Sequence, residues 1–253
     1  MNAYKTYMTE QNLNPKTINN HIRNLTNYTG KLLDTEKEII KHVKENYTVG
    51  SQQKTIITSI SKFRDYKGLP VESIRAFLQT SHTQSIELQQ EKTNAIILPS
   101  IKSLKKKMND YLKEGAFRNY VVMYLLLNFQ TRNQDLVARV IDNIDEVDDD
   151  NNWLLIRDND IVYYRNDYKT ADKYGRKKNI IRSKPFHRAV SNLTDVLKPS
   201  THIHRTVKDI AGYTESTLMK ANVVENNNIK GLSKISQNRG TALSTIDKSY
   251  NAT

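Results

Sequence analysis

Three places in the chain carry side chains that could do chemistry. The first is Gln130-Thr131-Arg132-Asn133-Gln134-Asp135-Leu136, directly after the apolar run Tyr120 to Phe129. An arginine where the chain leaves a buried helix is well placed to hold a phosphate. Its guanidinium forks onto two oxygens, and backbone N–H groups at a helix mouth point the same way. The plain alternative is an arginine paired with Asp135 for structure alone. The second place is Tyr168-Lys169-Thr170-Ala171-Asp172-Lys173-Tyr174-Gly175. Its lysines read as loop charges, or one of them reaches from a strand end into a site. The third is the tail Gly231 to Thr253, two short helices joined by Asn238-Arg239-Gly240, with Tyr250 near the end of the chain. Taken alone, Tyr250 is a surface residue on a fraying tail, and its case as a nucleophile rests on what precedes it.

These residues sit in a strongly basic chain. Among 253 residues, 39 Lys and Arg face 27 Asp and Glu, a net charge of +12, with a pI near 9.6. Such a balance favours polyanionic partners, nucleic acid before anionic membrane. There is no cysteine, which excludes disulfide scaffolds, thiol nucleophiles and cysteine zinc sites. The six histidines lack metal-site spacing, and no metal or other cofactor is implied. His202 and His204 alternate in a helix-like region and are read as surface residues. No apolar run is long enough to span a bilayer, and Met1 is followed by a polar amphipathic stretch, not a signal peptide. The protein is therefore expected inside a cell. Its wealth of Asn, Lys and Ile points to an AT-rich genome of viral or mobile origin.

Positioning these groups requires two domains. Residues 1–93 read as helices throughout. Asn14 caps a helix opening at Pro15, with an apolar stripe Ile18, Ile22, Leu25, Tyr28. Asp34 is expected to cap a third helix with Ile39, Ile40 and Val43. Gly50-Ser51 opens a fourth, with Ile56, Ile57, Ile60 and Phe63 inward and Lys54, Lys62 and Arg64 on the other side. A fifth is expected from Val71 to about Glu91. Residues 94–98 form an extended linker, biased away from helix by Pro99. In residues 99–253 a basic helix with Lys102, Lys105, Lys106 and Lys107 precedes the buried helix Tyr120–Phe129. A further helix is expected to carry Leu136, Val137 and Val140. Three short strands follow around Trp153, Val162 and Ile180, then helices near 186–197, 201–210, 215–225, 230–238 and 242–250. The fold class is mainly α with a small antiparallel β-meander, α+β.

Residues 3–30, AYKTYMTEQNLNPKTINNHIRNLTNYTG, resemble the opening of the core-binding domain of tyrosine recombinases, the phage-type integrases. In that family a helix entering the major groove starts at the place of Asn14-Pro15-Lys16-Thr17-Ile18. LLLNFQTRNQDL resembles the family's first catalytic box. YKTADKYGRKKNII resembles its strand-turn, and SKISQNRGTALSTIDKSY its closing segment. The resemblance covers nearly the whole chain. It implies a helical core-binding domain (1–93) that grips double-stranded DNA through Lys16, Thr17, Asn20, Arg23, Lys54, Lys62 and Arg64, with Lys105 beyond the linker. It also implies a catalytic domain (99–253) that breaks and rejoins DNA, working as a homo-oligomer, a tetramer on two duplexes.

The roles it implies are specific. Tyr250 attacks a phosphodiester in line, giving a 3′-phosphotyrosyl bond and a free 5′-hydroxyl. Arg132 clamps the non-bridging oxygens, and Lys169 protonates the leaving oxygen. No metal takes part. The chain departs from the pattern in its second box, where Ser216 stands for the family's histidine and Met219 for its arginine. Thr241 stands where the family has histidine or tryptophan. Lys220 and Arg239 are the candidates to supply the missing charge. The literal His202-Ile203-His204-Arg205 sits too early and is read as coincidental. The alternatives are a catalytically impaired DNA-binding relative, which the second-box losses favour, and a relaxing enzyme like the type IB topoisomerases.

Overall fold

The computed structural model describes residues 2–199 and 202–250, with the side chains of residues 89, 90, 92–94 and 247–250 outside the described set. The chain divides into two compact units, Met1–Ala95 and Ile96–Thr253. No described helix is long and apolar enough to cross a membrane.

The first unit holds α1 (Asn2–Glu10), α2 (Pro15–Thr26), α3 (Glu36–Asn46), α4 (Ser51–Tyr66) and α5 (Glu72–Asn94). Asn14 caps α2, its side chain accepting from the Lys16 N–H at 2.9 Å, and Pro15 takes the first helical position, where no N–H is needed. Ile18, Leu25, Ile39, Val43, Ile57 and Ile60 meet in one apolar core. Two expectations fail here. Thr35, not Asp34, caps α3, because Glu38 three residues on returns the bond and completes a capping box. Arg64 does not join Lys54 and Lys62 on an outer face. It is buried, donating to the carbonyls of Pro70, Leu32 and Asp34. Its three donors satisfy the loops on either side of α3 and α4, which is how a buried guanidinium is tolerated.

The second unit holds α6 (Ile101–Lys113), α7 (Phe117–Phe129), β1 (Ala138–Ile141), β2 (Asn152–Ile156), β3 (Ile161–Arg165), α8 (Ala171–Tyr174), β4 (Lys177–Ile181), α9 (Lys184–Val190), α10 (Ile203–Ala211), α11 (Glu215–Glu225), α12 (Ile229–Arg239) and α13 (Leu243–Tyr250). The apolar helix α7 lies at the centre of the core, with Val121, Val122, Met123 and Leu125 fully enclosed. The strands form one sheet in the order β1-β2-β3-β4. β1 runs parallel to β2, and the other pairs are antiparallel.

The sheet is thus mixed rather than a pure meander. The expected helix through Leu136, Val137 and Val140 is instead a single 3₁₀ turn, Gln134–Leu136, leading into β1. The stretch was too short to declare its period. Its outer partner is the segment after α9, where Val137 and Arg139 bridge to Leu197 and Asp195. That pairing also ends α9 at Val190, well before residue 197. The fold is mainly helical with a small four-stranded mixed sheet, an α+β architecture.

Candidate active site

The site gathers around one helix end. The last carbonyls of an α-helix have no partner within it and carry the negative end of its dipole. At the C-terminus of α12, four successive carbonyls are met by four side chains from distant parts of the chain. Lys177 donates to Gln237 O, and Arg165 to Asn238 O. Arg132 Nη1 donates to Arg239 O at 2.9 Å, and Thr170 Oγ1 to Gly240 O at 2.7 Å. Gly240 ends the helix in the left-handed conformation, φ 62°, and the chain turns into α13.

Arg132 arrives from the end of α7. Gln130 there adopts φ 48°, unusual for a residue with a side chain. Asp135 Oδ2 then accepts from the Arg132 backbone N–H at 3.2 Å. The guanidinium does not pair with that carboxylate. Its second nitrogen, Nη2, donates to Thr241 Oγ1 at 2.8 Å. Asp135 is wholly buried and lies 3.8 Å from the equally buried Arg165. Burial pushes the Asp135 carboxyl above its ordinary value, and the nearby Arg165 opposes this.

Arg239 turns back into the same cleft. Nη1 donates to Gln130 O at 3.0 Å and Nη2 to Glu215 Oε1 at 2.5 Å. A second guanidinium therefore lies in the cleft with Arg132, where Met219 supplies none. Met219 is buried with Val223, Ile235 and Ile246, and Ser216 is exposed outside the cleft lining. Lys220 is buried on α11, and burial lowers its pKa. It does not line the cleft. Of the two candidates for the missing charge, Arg239 lines the cleft with Arg132, and Lys220 is buried on α11.

The cleft has a volume of 620 Å³, and Arg132, Lys169, Glu215, Arg239, Thr241 and Thr245 are among its walls. Lys169 stands exposed on its rim, in the loop between β3 and α8. Asn152 holds that loop, donating to Asp167 O at 2.9 Å and accepting from its N–H at 3.0 Å. A lysine that the sequence did not single out, Lys177, lies at the same helix end but outside the cleft lining. Lys177 faces Arg165 directly across the β3–β4 ladder, an unfavourable like-charge pair. Both cations lie over the Tyr168 ring, at 5.3 and 5.8 Å. Burial first, then Arg165 and Arg132, lower the Lys177 pKa to about 8. A lysine charge on the inward register of a strand beside another cation was the available signal.

Tyr250 is the last residue of α13, and its side chain lies outside the described residues. Histidine reappears unexpectedly. His204, exposed on α10, lines the cleft instead of belonging to an unrelated surface. Among the described residues, no group of three or more His, Asp or Glu side chains could hold a metal ion. In the first unit, Lys16, Thr17, Asn20 and Arg23 are exposed on α2. Lys54 and Lys62 are half-buried on α4, Lys54 Nζ lying 2.7 Å from His82 Nδ1. Lys105 is exposed on α6 in the second unit.

No family model matches the chain, and neither does any curated protein. A crystal structure of XerA recombinase aligns over 98% of this chain and 91% of that one, with 15% sequence identity and a TM-score of 0.39. A likeness at that level carries no weight here, and the functional reading rests on the residues.

Proposed function

We propose that the chain is a DNA strand transferase of the tyrosine-recombinase kind, cleaving and rejoining DNA through a 3′-phosphotyrosyl intermediate without a metal. One observation carries the reading. Arg132 and Arg239, from opposite ends of the second unit's sequence, meet at the α12 C-terminus, in one cleft with Lys169. That helix end leads directly into the helix ending in Tyr250. The two guanidiniums stabilise charge on the phosphorane-like transition state, through the N–H groups that remain beyond their bonds to the protein. The tyrosine oxygen, its proton passing to water, replaces the 5′ oxygen on phosphorus, and a lysine protonates that leaving oxygen. Lys169, on the rim, is the first candidate; Lys177, with its pKa lowered to about 8, is a second one that sits at the α12 end outside the cleft lining. In this reading residues 1–93 grip duplex DNA, and the active form is a homo-oligomer on two duplexes.

A non-catalytic DNA-binding role is favoured by Met219 and Ser216, neither of which offers a polar group to the cleft. The decisive test is incubation of the protein with a nicked suicide duplex in chelator, followed by denaturing electrophoresis. The expected result is an SDS-stable protein–DNA adduct that Tyr250→Phe abolishes. Salt-sensitive binding to a confirmed cognate site without any adduct would exclude the strand-transfer reading.

A further inference from the structure

The loop that carries Lys169 is held by a residue that the strand-transfer reading leaves without a role. Tyr168 is buried. Its hydroxyl donates to Gly175 O at 2.5 Å, which joins the two ends of the loop across α8. Its ring packs directly against the α12–α13 junction, since a Cβ on Gly240 would stand 2.8 Å from the ring's Cε2. Thr170, on the other flank of Lys169, is tied to the same junction through Gly240 O. Lys169 therefore sits between two anchored neighbours while its own side chain is exposed.

The anchoring has a force to oppose. Lys169 lines the cleft with Arg132 and Arg239, and it also lines a second cleft with Asp149, Asp150, Asp167 and Asp172. Like charges repel the ammonium from the first and opposite charges attract it to the second. Its flexible stem gives it the freedom to choose. Electrostatics alone would turn Lys169 away from the guanidiniums, so something must hold its backbone.

We propose that Tyr168 is a positioning residue for strand transfer, closing the loop so that Lys169 Nζ meets the departing 5′ oxygen. The proposal rests on reading the cleft as a strand-transfer site with Lys169 as the proton donor. In that step the tyrosine oxygen bonds to phosphorus and its proton passes to water. The bond from phosphorus to the 5′ oxygen breaks, and Lys169 gives its proton to the oxygen that leaves. Tyr168 touches none of the reacting atoms. Its ring fills the space beside the junction, and its hydroxyl sets the closure of the loop.

The test changes the leaving atom, using the full chain on a cognate suicide duplex. One substrate carries the natural 5′ oxygen at the scissile bond, the other a 5′ sulfur. A thiol is far more acidic than an alcohol, so sulfur departs as a thiolate and needs no proton. Tyr168→Phe keeps the ring and removes only the tether. It should slow adduct formation on the oxygen substrate about 10- to 100-fold, the scale of a misplaced catalytic group, and match the parent on the sulfur substrate. Lys169→Ala should show the same pattern. In a Lys169→Ala background Tyr168→Phe should cost nothing further, because it acts only through that lysine. Equal loss on both substrates, or a further loss in the Lys169→Ala background, overturns the proposal, since each marks a role in folding or binding instead. So does a Tyr168→Phe rate equal to the parent's on the oxygen substrate. In all three cases the parent's own adduct leaves the strand-transfer reading standing. A parent that forms no adduct on either substrate removes that reading, and the proposal with it.

Discussion

Arg239 is the residue whose position matters most, and its environment separates two consequences of removing it. Its guanidinium side chain is only 6% exposed and its partner Glu215 16%. Arg239→Ala leaves the Glu215 carboxylate enclosed without its ion partner, a loss of about 3 kcal/mol. It also removes one donor set from the cleft, expected to slow adduct formation by about a hundred- to a thousandfold. The double variant Arg239→Ala/Glu215→Gln isolates the two effects. Its melting temperature should return towards the parent while its single-turnover rate stays low. Recovery of both would mean that Arg239 only holds α12 in place. Arg239→Lys should keep part of the stability and little of the rate, because a point charge cannot fork onto two oxygens.

Lys177 carries a pH signature at the same scale. Its pKa is lowered from 10.5 to about 8, so between these values the unfolded chain binds more protons than the folded one. Stability therefore rises with pH across that window, falls as pH drops from about 10.5 towards 8, and is level below it. Activity runs the other way if Lys177 gives its proton to the leaving oxygen, since only the charged form can donate. Adduct formation is expected to decline as pH rises through about 8, and Lys177→Arg should remove that limb. A parent profile flat across this range would return the role to Lys169.

The α12–α13 junction shows the same dependence at the level of elements. Gly240 has φ +62°, and a Cβ there would sit 2.8 Å from the Tyr168 ring and 3.3 Å from both Lys177 Cε and Thr170 Oγ1. Gly240→Ala pays the left-handed cost of about 1–2 kcal/mol and displaces at least one of these side chains. We expect a melting temperature lower by about 2–8 °C for a unit of this size, with loss of adduct formation larger than the stability loss explains, because α13 shifts with the junction. A Gly240→Ala protein with a lower melting temperature but the parent's rate would show that the junction need not hold its present angle.

How far these elements could be read in advance follows from the range of the forces that fix them. Asn14-Pro15 and the Ile56, Ile57, Ile60 stripe are local signals, and α2 and α4 form where they indicate. β1 carries no local signal, because it owes its existence to partners at Asn152–Leu155 and at Asp195 and Leu197, none of which is near it in sequence. A helical pattern puts Arg64 on an outer face, because it does not show the three loop carbonyls that receive its guanidinium. The Arg239–Glu215 pair spans 24 residues, and His204 reaches the cleft only because α10 folds beside the end of α7. Residue type and order pointed to the cations. Which of them face one another is a property of the tertiary fold alone.

For the whole molecule the governing quantity is charge, +12 over 253 residues, and the structure sorts that charge into exposed and enclosed parts. Lys16 and Arg23 are exposed on α2, whereas Arg64 is 3% exposed and bonded to three carbonyls. If residues 1–93 grip DNA, the two classes must respond differently to substitution. Lys16→Ala/Arg23→Ala should leave the melting temperature near the parent's. Each lost phosphate contact should lower the magnitude of the salt slope of duplex binding by about 0.9, so the pair by about 2. Arg64→Ala should act in reverse, leaving buried carbonyls unpaired and costing about 1–3 kcal/mol for each that finds no water. Its salt slope, measured below the lowered melting temperature, should match the parent's. An unchanged slope in the Lys16 and Arg23 double variant would move the DNA-gripping surface away from α2 and leave the +12 charge to act through the second unit, beginning with Lys105 on α6.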